Sequence, residues 1–283
     1  MKKLDPNALF PIREVSRLTG IKPITLRAWE RRYELIEPVR TESGHRLYTQ
    51  EHIDYLNQTL KLMDEGIPIS RVKTVLSEGP VIATQNKPET SSSDSIKTAV
   101  NAARSFDLNL IERTLDRLFA DYSLKPLLPL LAKIDNRLLA EPNDAIALNL
   151  WHTALTQRLQ VRLHQFQQSA RFTTRTIFIQ RAPDSAAWLT KFIALFCFEQ
   201  GYQPLHFDKM MSLESVQELH EQLDLYGFIL VDRTSLSSDE WAAYIQNFAS
   251  IKTWVFGSET IEESKPPSIN CELRAWPNWV KPL

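Results

Sequence analysis

Gly20-Ile21-Lys22-Pro23-Ile24-Thr25-Leu26-Arg27-Ala28-Trp29-Glu30-Arg31-Arg32-Tyr33 decides how the first quarter of the chain is read. Leu26, Trp29 and Tyr33 return at helical spacing, the mark of a helix with one apolar stripe. Pro23 opens the pattern at a favoured first helical position, and Gly20 closes an earlier one carrying Ile12, Val15 and Leu18. Two short helices therefore meet at a tight turn. Among the packing positions, Thr25, Arg27, Arg31 and Arg32 supply hydroxyl and guanidinium donors. Arginine's planar fork suits both phosphates and guanine edges. A helix that packs by one face and offers donors on another is what groove reading requires.

Beyond Pro38 the chain runs Val39-Arg40-Thr41-Glu42-Ser43-Gly44-His45-Arg46-Leu47-Tyr48, a turn between extended residues. Gly44 stands where such a turn asks for positive φ. Between 49 and 65 apolar residues return at Ile53, Leu56, Leu60 and Met63, and a short helix with Val72, Val75 and Leu76 follows Ser70. Helix-turn-helix, hairpin, helix, helix is a winged-helix plan, and it is assigned to residues 1–76. Lys+Arg exceed Asp+Glu by 3 over residues 1–76, whereas residues 77–283 carry a net -4. So mild an excess is an ordinary solvated surface by itself, and placement must carry any DNA argument.

Residues 77–95 are rich in Ser, Pro, Thr and Asn, including Ser91-Ser92-Ser93, and read as a flexible linker. Residues 96–168 read as a helical bundle of four helices, with patterns at Leu108, Ile111, Leu115 and Leu118, from Leu127 to Leu139, and from Ala147 to Phe166. From 171 the period changes. Apolar runs at Thr176–Gln180, Tyr202–Phe207, Gly227–Asp232 and Thr253–Gly257 alternate with helical stretches at about 185–200, 213–224 and 238–249. That alternation predicts a doubly wound, Rossmann-like α/β domain over 171–283. The chain is thus expected to be multi-domain.

Several function classes are excluded. No run of about 18 uncharged apolar residues occurs, and Met1-Lys2-Lys3 leads into Leu4-Asp5-Pro6 rather than an apolar signal core, so a soluble cytoplasmic protein is expected. Cys197 and Cys271 are too few for a disulfide framework and read as structural thiols. His152, His164, His206 and His220 share no metal-ligand spacing. With 7 glycines in all, no phosphate-binding Gly-x-Gly-x-x-Gly or P-loop follows any strand, and no triad stands out. The chain is not expected to be an enzyme.

Phe10-Pro11-Ile12-Arg13-Glu14-Val15, the helix quoted above, Arg40-Thr41 and Gly44-His45-Arg46-Leu47-Tyr48 together resemble the MerR signature in order and spacing. The forms Leu-Arg-Ala-Trp-Glu-Arg-Arg-Tyr and Gly-His-Arg-Leu-Tyr are most similar to the branch holding the MlrA-type biofilm regulators and the CarA/CarH-type cobalamin photoregulators. The resemblance implies DNA contacts from Thr25, Arg27, Arg31, Arg32, Arg40, Thr41, His45 at the hairpin tip, and Arg46. Trp29 and Tyr48 are candidates too, with core packing as their alternative. It further implies a homodimer on near-palindromic promoter DNA, RNA polymerase at that promoter, and MlrA-like activation of biofilm or stress-associated genes. Pro11 and Lys22 occupy positions where relatives carry Thr or Ser caps, a loss of about 1 kcal/mol each.

In the photoregulators a helix bundle and a Rossmann-like domain hold cobalamin through an Asp-x-His-x-x-Gly loop. Here that loop reads Asp184-Ser185-Ala186-Ala187-Trp188-Leu189, with Ala186 for the ligand and Leu189 for the glycine. A bundle Trp and a following Glu-His pair align with Leu138, Leu148 and Asn149, Trp151 being an alternative occupant. No histidine-ligated cobalamin is expected, and no cofactor is assigned. Because a linker replaces the long dimer helix of small MerR proteins, pairing is expected from the C-terminal domains. Pro183-Asp184 and Ser235 lie at strand ends where open α/β sheets take small molecules. Trp276-Pro277-Asn278-Trp279 reads as a tail packed against the sheet, with docking of a partner protein as the alternative.

Overall fold

A computed structural model describes residues 9–78, 88–169, 175–183, 185–207, 209–231, 245–246, 248, 250–257, 269–275, 279 and 281–283. The N-terminal part opens with β1 (Phe10–Pro11), α1 (Ile12–Thr19) and α2 (Pro23–Tyr33). Gly20 ends α1 at φ 74, its N–H donating to the Ser16 carbonyl, a left-handed cap that glycine adopts without strain. Pro11 and Lys22 stand at the helix N-caps and make no side-chain cap hydrogen bond, as their chemistry requires. β2 (Val39–Arg40) and β3 (Arg46–Tyr48) form the expected hairpin. β1, which the sequence pattern did not reveal, adds to it in the antiparallel order β1-β3-β2.

α3 (Gln50–Asp64) and α4 (Ile69–Glu78) complete this part. Thr49 caps α3 by accepting from the His52 N–H at 3.3 Å, while His52 Nδ1 accepts from the Thr49 N–H at 3.2 Å. This is a capping box with histidine in the usual Glu/Gln place. Val15, Leu26, Leu56, Ile69 and Val72 are fully buried in one core.

The linker expectation is corrected at both ends: α4 runs through Glu78, and α5 spans Pro88–Arg104. Proline at a first helical position gives up an N–H that would be unpaired anyway. Ile96, Ala99, Val100 and Ala103 farther along α5 are buried, so one packed face carries the serine-rich first turns. Residues 79–87 of the expected linker lie outside the described residues.

α6 (Leu108–Asp121), α7 (Leu124–Leu139) and α8 (Ala145–Ser169) follow. The expected four helical patterns are present, but packing does not isolate 96–168. One compact unit joins Met1–Lys97 to Asp116–Leu130, and the other joins Thr98–Leu115 to Leu131–Leu283. Polar bonds run within the first unit. The Tyr33 hydroxyl donates to Asp121 Oδ1 at 3.1 Å, and Ser123 Oγ donates to Asp64 Oδ1 at 3.2 Å.

In the second unit β4 (Thr176–Arg181), β5 (Gln203–His206), β6 (Gly227–Val231), β7 (Lys252–Gly257) and β8 (Cys271–Ala275) pair in parallel, in the order β5-β4-β6-β7-β8. α9 (Ala187–Glu199) and α10 (Leu213–Leu223) are its described connecting helices. α9 packs on α8, β4 and β5. Every residue of β6 is buried, as expected of a strand covered on both faces. Gly227 is required there, since a Cβ would lie 2.7 Å from the Trp254 ring and 3.1 Å from the Lys252 carbonyl. The helix expected at 238–249 falls largely outside the described residues, although Ile245 and Phe248 are buried core.

β8 was not anticipated. Its Arg274 is 2% exposed and donates to the carbonyls of Lys281 at 2.6 Å and Pro282 at 2.8 Å. Trp279 is fully buried, tilted against Phe256 at 5.3 Å, with its indole N–H donating to the Gly257 carbonyl at 3.3 Å. Trp279 thus takes the packing reading rather than the docking alternative, because burying so large a ring satisfies it internally. Residues 276–278 of that tail lie outside the described residues.

Candidate nucleic-acid interface

At 3.6 residues per turn, Leu26, Trp29 and Tyr33 fall in a band about 60° wide, and Ile24, Arg27 and Arg31 fall in a band of similar width roughly opposite. Burial follows that division. Leu26 and Trp29 are buried and Tyr33 half-buried, whereas Ile24, Arg27, Arg31 and Arg32 are exposed and Thr25 is intermediate. Among the described residues, neither Arg27 nor Arg31 enters an ion pair. Their guanidinium donors stand available to an outside acceptor.

The wing supplies a second set. Thr41 and Gly44 close its turn: the Gly44 N–H donates to the Thr41 carbonyl at 2.8 Å, and the His45 N–H donates to Thr41 Oγ1 at 3.0 Å. Gly44 takes φ 80, where a side chain would strain the backbone. His45 is exposed at this tip. Thr41 thus shapes the turn, with its hydroxyl already engaged. Arg40 and Arg46 both lean on Glu30 of α2: Arg46 Nε lies 2.6 Å from Oε2 and Arg40 Nη2 lies 2.9 Å from Oε1. The Glu30 carboxylate, by hydrogen bonding first and charge second, holds the Arg46 guanidinium above its ordinary pKa.

Glu30 is the residue of this candidate site that sequence reasoning missed. An acid within a basic motif reads as a solvated neighbour, and only the fold brings residues 40 and 46 onto it. Two aromatic candidates are corrected in the opposite direction. Trp29 is 6% exposed and Tyr48 is 0% exposed, so their rings belong to the core and neither faces solvent. Burial also raises the Tyr48 hydroxyl above its ordinary pKa. Ring size and polarity suit a DNA backbone and a core equally, and the residue type alone cannot separate the two.

In the second unit, the strand order places the switch point between β4 and β6, where open α/β sheets take ligands. Protein groups bridge it. The Ala182 N–H donates to the Val231 carbonyl at 2.9 Å, and Ser185 Oγ donates to the same oxygen at 3.3 Å. The Arg181 guanidinium donates to the carbonyls of Pro183 at 3.2 Å and Ser185 at 2.8 Å. Ala186 is the N-cap of α9 and offers only a methyl group. Trp188 is buried, and its indole N–H donates to Asp135 Oδ2 at 3.1 Å, the oxygen that also meets His152 Nε2 at 2.8 Å. Leu138 and Leu189 are buried, and Asn149 turns back to the Ala145 carbonyl. These residues supply no histidine ligand to a cobalamin: no imidazole stands after β4, and His152 meets Asp135. Asp184 and Ser235, named as strand-end candidates, lie outside the described residues. No helix among the described residues is long and apolar enough to cross a membrane.

Residues 10–79 match the family described as MerR HTH family regulatory protein. The HTH-type transcriptional regulator MlrA of Salmonella typhimurium (strain SL1344) is 47% identical over 70 residues, covering 25% of this chain and 29% of that protein. The HTH-type transcriptional repressor CarH of Myxococcus xanthus is 38% identical over 69 residues, covering 24% of this chain and 23% of that protein. The likeness therefore spans under a third of either relative. Residues 10–79 form a MerR-type helix-turn-helix domain, and the named relatives are transcription regulators. A solved structure described as the methanol:cobalamin methyltransferase complex MtaBC from Methanosarcina barkeri overlaps 65% of this chain and 76% of its own, with TM-score 0.31 and 8% identity. That is too distant to bear on ligand or function, and the strand order alone defines the α/β fold.

Proposed function

We propose that this protein is a sequence-specific regulator of transcription that binds promoter DNA as a homodimer, with α2 in the major groove and the wing on the flanking backbone. The observation that carries this reading is the exposed Arg27–Arg31 face of α2, backed by a buried Leu26–Trp29 face, with the wing arginines held beside it by Glu30. Thr25, Arg32 and His45 extend the same surface. Pairing is assigned to the C-terminal part of the chain, and RNA polymerase is the partner at the promoter. The direction assigned is activation, in the MlrA manner, and transcription in vitro from a bound promoter distinguishes it from repression.

The test is binding of the full chain to a selected operator at fixed salt. Because phosphate contacts release counterions, R27A and R31A should each lower affinity and, where a phosphate contact is lost from both protomers, reduce the salt slope by about two. Unchanged footprints in both variants would overturn the assignment. No histidine-ligated cobalamin belongs to this function, in keeping with Ala186 and with the bridged switch point. Absorbance of the protein after incubation with cobalamin checks it, a bound corrin spectrum being the adverse result. A second reading, in which the α/β part binds another small molecule or a protein, has the strand-end location in its favour.

A further inference from the structure

The recognition face of α2 begins with an aliphatic side chain. Ile24 is 72% exposed, although it stands in the first turn of a helix whose opposite face is buried. Isolated aliphatics on a surface are ordinary. Ile24 is set apart by its place: it shares its band with Arg27 and Arg31, one and two turns farther along, and occupies the N-terminal end of the helix. In helix-turn-helix proteins the N-terminal residues of the recognition helix meet base edges. The cationic side chains below it match the charge of a phosphate-lined groove. Pro23 fixes the backbone directly before Ile24, and a β-branched residue in a helix keeps nearly one χ1 rotamer. The methyl groups are therefore presented in one orientation, with little freedom to lose on binding.

An aliphatic group can read only one feature of the major-groove floor. Of the four bases, thymine alone carries a methyl there, and contact between that methyl and an apolar side chain distinguishes it from cytosine and from either purine. We infer that Ile24 is a specificity-determining residue that packs against the 5-methyl group of one thymine in each operator half-site. This rests on the DNA-reading role proposed for α2 and names the base that α2 selects. It makes the code of this helix mixed, with apolar readout at its leading end and guanidinium contacts behind.

The experiment uses the full chain on its selected operator and on operators in which single thymines are replaced by deoxyuridine, which removes the methyl and leaves pairing unchanged. Burial of one methyl-sized group is worth about 0.8 kcal/mol, which corresponds to roughly fourfold in affinity. A single deoxyuridine in one half-site should weaken wild-type binding by about that factor, and one in each half-site by about fifteenfold. I24A, which removes the contact from both protomers, should bind the unmodified operator about fifteenfold more weakly and should be indifferent to deoxyuridine at that position. Because Ile24 is exposed, the variant keeps its fold, and the deoxyuridine arm needs no variant at all. Equal sensitivity of wild type and I24A at every thymine overturns the inference, as does insensitivity of the wild type throughout. Failure of the wider DNA-reading role has a different signature: wild type then shows no preference for any operator over random duplex.

Discussion

Replacing Asp135 by alanine tests whether the interior of the second unit is held together by the polar contacts of this buried carboxylate. Asp135 is fully buried, and a single carboxylate oxygen receives the Trp188 indole N–H at 3.1 Å and faces His152 Nε2 at 2.8 Å. Truncation removes both bonds and strands a buried indole donor, whose desolvation costs about 1–3 kcal/mol. Loss of the hydrogen bond to His152 adds about 1–1.5 kcal/mol. Burial of a carboxylate is itself unfavourable, and removing it returns part of that sum. The expected net loss is about 3 kcal/mol. W188F deletes the donor and leaves His152 on the carboxylate, so its loss should be about 1 kcal/mol. Hydrogen exchange of the full chain, followed in peptides from β4 and α9, reads the local opening free energy without assuming a single unfolding transition. If D135A changes protection there by less than 1 kcal/mol, or by less than W188F does, the Asp135 bonds do not hold the unit.

Four further outcomes are expected. G227A should lose about 1–3 kcal/mol, since its new methyl meets the Trp254 ring and a backbone carbonyl, and a thermal melt followed by circular dichroism checks it. W279A should cost about 3–5 kcal/mol through the cavity it leaves, readable as a shift in the urea midpoint. E30Q releases Arg40 and Arg46 from their shared carboxylate, so competition between operator and random duplex at fixed salt should show selectivity falling while random binding holds or rises. Burial raises the Asp121 carboxyl above its ordinary pKa, against the lowering effect of the Tyr33 hydrogen bond. A carboxyl raised in the fold binds protons more tightly there than when unfolded, so its contribution to stability declines as pH rises through that raised value. Relative to wild type, D121N should therefore gain stability as pH rises from about 4, and a gain in the opposite direction refutes the assignment.

Much of this was written in local pattern. The turn at Gly20, the positive φ at Gly44, the helices of the head and four of five parallel strands follow from period and punctuation alone. β8 escaped because Cys271-Glu272-Leu273-Arg274-Ala275 mixes charge with small apolar residues, and its arginine is buried by carbonyls from the tail, which no local rule anticipates. α5 escaped at its start because serine-rich turns are carried by a buried face that lies farther along the helix. For the candidate site, the exposed arginines of α2 were legible from spacing, whereas the core roles of Trp29 and Tyr48 and the clamp made by Glu30 depend on which residues meet across the hairpin. Contacts between distant residues are a property of the fold rather than of any window of sequence.

The wing turn has a kinetic consequence. Its two ends are bonded through Thr41 and Gly44, and its arginines are braced on α2 before any DNA arrives. A loop already ordered in the free protein has little conformational entropy left to surrender on docking. Encounter then needs no rearrangement of the wing, so association should run at the pace set by charge and orientation, and operators should differ chiefly in how long they retain the protein.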